Sequence, residues 1–462
     1  MKRMTRRDVM KLMSAAGFGT LILSTRIGGG EPAAAPAVVE GAGFMGRVIA
    51  PTGAVAPATP ARLVDGTVVQ PERTLPVIHQ TDVLVVGGGT AGVMAAVAAK
   101  RAGVSVAIAE RYGCFGGLWT GGMVLVVIGT HAKVGGQKRK VIRGLGDELL
   151  QRIAKLDHGA IDYGGDAHNP TTDPEATKLV MDDMIREAGV NVFFHSWGVE
   201  AIMDGPAVRG AVFESKAGRQ AILAKVVIDA AGDGDIFASA GADYIQRTYA
   251  VGTVHRLGNM DRLDREKMKA SGRKLPPLGA ATPIPGVTWV NTRGPKANAI
   301  DVADLSRLEM EHRRNIWNQV QQIRQTPGGE QVYLLDTAPQ LGVRISRVLE
   351  GMYQLTYKET REGKRFPDTV AVGGAQNANH TEWPIPYGVL LPKKVENLLV
   401  TGRSVSADEK LLDDTRLIGA CLLTGHAAGA AAAVAVRSGC RPRDVEIARL
   451  QKLLTEQGAY LG

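Results

Sequence analysis

A short apolar run, Val83-Leu84-Val85-Val86, passes without a break into Gly87-Gly88-Gly89-Thr90-Ala91-Gly92. Few folds can use that junction. Continuous rather than alternating apolarity marks a strand buried on both faces of a parallel sheet. A helix is expected over Val93–Ala102, closed by Gly103 as the residue after its C-cap. A second strand, Ser105–Ala109, ends at Glu110. Each piece has a physical task. Gly87 permits the sharp turn, Gly89 lets backbone approach a pyrophosphate, and Gly92 lets helix pack closely on strand. Thr90 and Ala91 lie in this turn as further cofactor contacts, and the helix that follows presents free N–H groups and its positive dipole end to the phosphates. Glu110 is placed to accept hydrogen bonds from ribose hydroxyls. Strand, turn, helix, strand and acid in order read as a dinucleotide-binding βαβ unit.

The chain has 462 residues, 45% hydrophobic and 22% charged, which suits a two-domain globular enzyme. Net charge is +9. The one tight basic run, Lys138-Arg139-Lys140, has no interleaved aromatic residues, so no nucleic-acid partner is expected. Cys114, Cys421 and Cys440 form no CxxC spacing. Neither an iron–sulfur cluster nor a metal site is expected from them.

The N-terminus carries Arg6-Arg7 before an uncharged stretch from Leu12 to Thr25. A positive region ahead of a short apolar one is a signal peptide rather than a fold element. It is too short to remain as a membrane span. The paired arginines resemble a twin-arginine export signal, with small residues for cleavage at Ala33–Ala37. Residues 1–37 are assigned to this signal, and 38–76, rich in Gly, Ala and Pro, to a flexible linker.

The run from Thr81 to Val124 resembles the start of the FAD-dependent oxidoreductase family with a glutathione-reductase-type, Rossmann-like nucleotide fold. After the acid comes Arg111, then Gly113-Cys114-Phe115-Gly116-Gly117-Leu118-Trp119-Thr120, matching the family's double-glycine segment. Val226–Asp235 resembles its second signature, Leu398–Arg403 a third strand–glycine turn, and Gly425–Gly429 its closing flavin-binding helix. The resemblance implies FAD as cofactor. It also implies contacts from Gly116, Gly117, Thr120, Val199, Ala231, Gly232, Asp233, Gly402, Arg403, Gly425 and Ala428. The closing helix would open at Gly425 and aim its N-terminus at the flavin. Where the family often has Arg-Glu-Ser-Arg-Arg-Ile-x-Gly, this chain has Ile345 and Val348 in place of the Glu and second Arg. A contact through those two positions does not follow here.

The expected class is α/β. A discontinuous FAD domain (77–240 and 395–445) is interrupted by an α+β substrate or cap domain (241–394), with a tail at 446–462. A helix is expected over Leu179–Ala188, strands over Val190–Phe194, Val199–Met203 and Val208–Ser215, and a long helix over Val302–Arg324. No second glycine unit appears, which argues against an NAD(P)H domain. Candidate catalytic residues are His380, as base, and Tyr387, as proton donor or orienting hydroxyl. Arg344 and Arg347 are candidates for a substrate carboxylate, with Arg416 a third cation. His131 follows the double-glycine segment and reads as hydrogen-bonded. His426 is expected near the cofactor. The leading expectation is hydride transfer from a small organic substrate to FAD, then to a quinone, cytochrome or O2. The alternatives are a reductase of an activated double bond and a non-catalytic electron carrier. Export by the twin-arginine machinery, which carries folded proteins, suits a protein that takes up FAD before it leaves the cytoplasm. The periplasm is the expected location.

Overall fold

The computed structural model describes residues 60–156, 160–162, 169–374 and 381–462, together with two short paired strands at Val38–Val39 and Val48–Ile49. The signal segment and His380 lie outside these residues. Gly53–Gly462 form one compact unit, and the elements below all belong to it.

Strand β1 (Val77–Val86) is followed by helix α1 (Thr90–Arg101) and strand β2 (Val106–Ala109). The two strands pair in parallel with Val83 opposite Val106. Val83–Val85 are wholly buried, because the sheet is covered on both faces. Helix α2 (Pro174–Ala188) begins five residues ahead of the sequence expectation. Asp173 caps it, accepting from the N–H groups of Glu175 and Ala176, and Pro174 takes the first helical position, where no N–H is needed.

Four more strands follow: β3 (Asn191–Phe193), β4 (Trp197–Asp204), β5 (Ala207–Ser215) and β6 (Gly218–Asp229). The sheet runs β3-β2-β1-β6-β5-β4. β6 is parallel to β1 over most of its length and antiparallel to β5 in its first half. The turns fall at Gly205-Pro206 and at Lys216-Ala217, which is followed by Gly218, and Gly205 and Gly218 take the positive φ.

A second layer is built from short strands: β7 (Tyr249–Gly252), β8 (Val254–Gly258) and β9 (Thr288–Asn291). Helix α3 (Val302–Arg324) packs Leu308, Ile316, Val320 and Ile323 inward, and Asp301 caps it. Strand β10 (Tyr333–Thr337) pairs with β8.

The chain then returns to the large sheet. Strand β11 (Leu398–Val400) pairs in parallel with the last residues of β6, Val227 opposite Leu398. Helix α4 (Ile418–Ser438) crosses α1. It is long and apolar enough to span a membrane, yet its apolar stretch is entirely buried in the protein.

Within the segment expected as a flexible linker, Arg62–Val64 pairs with Thr67–Val69 around Asp65-Gly66. Asp-Gly is the turn dipeptide that two-residue hairpin loops favour.

Candidate functional site: a nucleotide cradle opening into a cationic chamber

The last residue of β1 delivers Gly87 with φ +103°, and its N–H donates to the Ala109 carbonyl at 2.8 Å. Gly88 donates to Glu110 Oε2 at 2.7 Å, and Tyr112 donates to the other oxygen at 2.8 Å. Burial raises the pKa of Glu110, and these two N–H bonds oppose the rise. Glu110 thus fixes the glycine turn as well as lining the cavity, and each of its oxygens keeps a lone pair for a ligand. Gly89 caps α1 with no side-chain acceptor. The N–H groups of the first turn, from Thr90, Ala91 and Gly92, precede the first helical bond, Val93 to Gly89. A Cβ placed on Gly89 would meet nothing nearer than the Cα of Gly117, at 3.9 Å. Gly89 and Gly117 thus stand within van der Waals range of each other, and the bare backbone of both lines the cavity, where a pyrophosphate can approach it.

Gly116 and Gly117 form the facing wall with φ of +106° and +55°. Thr120 stands behind it, donating to the Phe115 carbonyl at 2.5 Å. Arg111 lies over the rings of Tyr112 and Trp197, at 5.0 and 5.6 Å. Ser196, Trp197 and Gly198 line this end. Val199, the residue expected there, is off the wall, because the contact falls at the start of β4 rather than one turn of the pleat later.

The second loop leaves β6 at Asp229. This fully buried carboxylate accepts from the N–H groups of Ala231, Ile236 and Phe237 at 2.9–3.0 Å. Burial pushes its pKa up to about 7. Ala231, Gly232, Gly402 and Arg403 line the cavity. Burial alone would raise the pKa of Asp233. Arg403 at 2.8 Å and Ser346 hold it below its ordinary value instead. Asp233 therefore braces the loop from behind. Arg347, expected at a substrate, is also engaged there: it bonds the Asp233 carbonyl at 3.0 Å and Asp235 at 3.1 Å.

The cavity, about 290 Å³, continues past these loops into the second layer. Val254, Trp289 and Gly342 line it there, facing Leu118, Val124, Val126 and Ile128. Arg344 lies on this wall. It donates to the Ala250 carbonyl and to Asn291 Oδ1, both at 3.0 Å. Burial, with Arg416 and Arg293 nearby, holds its pKa below the arginine range. Arg416 bonds Asp413 at 2.8 Å, and Tyr249 donates to the same carboxylate at 2.7 Å. The start of α4, Leu417 and Ile418, completes the end wall with Cys421. Burial pushes the Cys421 thiol up to about 12, so it is neutral at pH 7.

Three expectations need correction. Tyr387 is buried, donates to the Pro442 carbonyl at 2.8 Å and does not line the cavity. Burial raises its pKa. Its polar tip is satisfied by backbone, so it packs rather than reacts. Gly425 does not open a helix. α4 starts at Ile418, and a Cβ on Gly425 would sit 2.2 Å from the Ala91 carbonyl oxygen. Gly425 and the buried Ala428 belong to the seam between α4 and α1. His426 likewise faces away from the cavity, bonding Gln457 at 2.7 Å. His131 pairs with Thr130 at 2.8 Å and does not line the cavity. The sequence reading missed Trp197, Trp289, Asn291 and Gln340. They sit on short strands and loops that become neighbours only through long-range pairing.

Residues 82–248 and 256–454 match the family described as FAD dependent oxidoreductase. The chain belongs to that family. FAD is its cofactor, and it is an enzyme with a Rossmann-like FAD fold. No curated sequence matches it. Among solved structures it is similar to a geranylgeranyl bacteriochlorophyll reductase-like protein from Thermoplasma acidophilum. Identity is 17% and the TM-score 0.44, over 82% of this chain and 84% of that one. It is also similar to p-nitrophenol 4-monooxygenase from Pseudomonas putida, at 13% identity and TM-score 0.44, over 81% and 84%. At such identities neither substrate nor reaction carries over.

Proposed function

We propose that this oxidoreductase takes hydride from a small organic substrate and passes the electrons to a quinone, a cytochrome or O2. One observation carries the reading. A single continuous cavity joins the glycine cradle to a chamber walled by the second layer, so nucleotide and substrate share one enclosed space. Bound there, FAD supplies a two-electron acceptor.

The chain's own residues would do the rest. Gly87–Gly92 and the start of α1 hold the phosphates. Gly116, Gly117, Gly232 and Gly402 bring backbone close along the cofactor, and Arg403 sits beside it. Trp289, Val254, Val126 and Leu118 keep water from the reacting end. Arg344 orients the substrate. His380 is proposed as the base that takes the substrate proton. The segment before residue 77 is proposed as a twin-arginine signal and linker, and the periplasm as the place of work.

The test is anaerobic mixing of the flavoprotein with a metabolite panel. Bleaching of the oxidised-flavin band by one organic reductant is expected. If none bleaches it, and an activated alkene instead reoxidises the chemically reduced protein, the direction is reversed and the dehydrogenase reading is wrong.

A further inference from the structure

The chamber end of the cavity carries a charge imbalance that the protein does not resolve by itself. Arg344 is half-buried, yet both of its bonds go to neutral acceptors, the Ala250 carbonyl and Asn291 Oδ1. Arg347, three residues on, is paired with Asp235. The positive charges near Arg344 are those of Arg416 and Arg293, and the one opposing charge is that of Asp413. Asp413 is already taken by Arg416 and by the Tyr249 hydroxyl. Three guanidinium groups thus face one carboxylate.

A second, independent observation points to a ligand at the same place. Gln340 and Trp289 line the chamber and are each 8% exposed. Trp289 Nε1 has no hydrogen-bond partner and is a buried donor that an anionic oxygen can satisfy; Gln340 Oε1 is also unpaired, but as an acceptor it can take only a donor group of the ligand. Buried polar atoms left unpaired are rare, and a bound group is a common reason for them.

We infer that this end is a carboxylate-recognition subsite, with Arg344 as its anchor. The substrate class is an organic carboxylate with an apolar or aromatic body. The planar fork of a guanidinium matches a carboxylate's two oxygens. The body would lie against Trp289 and the apolar wall of Val254, Val126 and Leu118. The phosphates of the cofactor have separate donors at the helix start, so these arginines are not needed for them. The inference rests on the oxidoreductase reading for its biological meaning only.

The test uses the FAD-loaded, oxidised protein and benzoate, at constant ionic strength, followed by the flavin difference spectrum. Benzoate is expected to give a saturable perturbation that benzamide and inorganic phosphate do not. Arg344→Met should weaken benzoate at least tenfold with FAD content unchanged. Arg293 is exposed and lies off the cavity wall, so Arg293→Met tests its charge without touching the lining. It should weaken benzoate severalfold. Equal perturbation by benzamide or phosphate, or unchanged benzoate affinity in both variants, would overturn the proposal. So would loss of FAD in Arg344→Met, which would make Arg344 a cofactor residue. Failure of the metabolite panel to bleach the flavin leaves this titration untouched, because benzoate is not asked to react.

Discussion

A methyl group added at Gly92 would sit 1.9 Å from the Gly87 carbonyl oxygen, and one at Gly87 would sit 2.5 Å from that of Ala230. Gly87 also needs its φ of +103°. Gly92→Ala and Gly87→Ala should therefore cost stability itself, about 2–4 kcal/mol, read as a fall in the urea midpoint. Tyr387→Phe should behave differently. It loses one bond to the Pro442 carbonyl, about 1 kcal/mol, and should keep kcat. A fall in kcat of a hundredfold with stability intact would restore Tyr387 to the chemistry. Two buried histidines set an acid limb. Burial holds His255 and His426 at about 4 against an ordinary 6.5. Both are neutral when folded and protonate on unfolding. The stability this gives is complete above pH 6.5 and is lost as pH falls toward 4, on the order of 3 kcal/mol per histidine. Asp229, raised to about 7, acts in the opposite sense across that range. The comparison is therefore variant against parent: His426→Leu should flatten the fall of the thermal midpoint between pH 6.5 and 4. An unchanged acid limb would contradict the burial of that ring.

Among the elements, the pairing of α1 with α4 shows best where sequence reading stops. Gly425 and Gly429 lie one helical turn apart and meet Ala91 and Ala95, also one turn apart; a Cβ on Gly429 would sit 2.1 Å from the Ala95 carbonyl oxygen. The spacing is a packing stripe that lets two backbones touch. Along the linear sequence, the same two glycines look like a turn opening a helix. Replacing Gly429 with Val should pry the helices apart, lowering the thermal midpoint by on the order of 10 °C and FAD retention with it. Elements with local signals were legible. α3 spans Val302–Arg324 as its periodicity and Asp301 cap dictate, and the β1–α1–β2 unit follows from its glycines. α2 starts early because Asp173 caps it and Pro174 takes its first position, a local signal that apolar periodicity does not register. The chamber strands were not legible. Gly342-Val343 is two residues long, and its place opposite Val251-Gly252 is set by pairing across about ninety residues of chain.

At the scale of the molecule, the parallel part of the large sheet delivers three glycine turns to one edge, from β1, β6 and β11, as open α/β sheets do at the carboxyl ends of their strands. The second layer closes over that edge and adds what the nucleotide fold lacks: an apolar wall, two unpartnered polar atoms and the arginines. Cofactor and site architecture therefore come from different parts of the chain, the first written in local motifs and the second in tertiary pairing. The central claim is that the Gly87–Gly92 turn is where FAD sits, and Gly89 is the position that isolates it. Its φ of −67° suits any residue, and a Cβ there meets nothing nearer than the Gly117 Cα at 3.9 Å, an ordinary contact. Gly89→Val should fold with an unchanged thermal midpoint for the apoprotein and carry no FAD, while the parent carries one FAD per chain, read from the visible absorbance and the acid-released flavin. A parent that neither contains nor takes up FAD, or a Gly89→Val variant that retains it, would contradict the account.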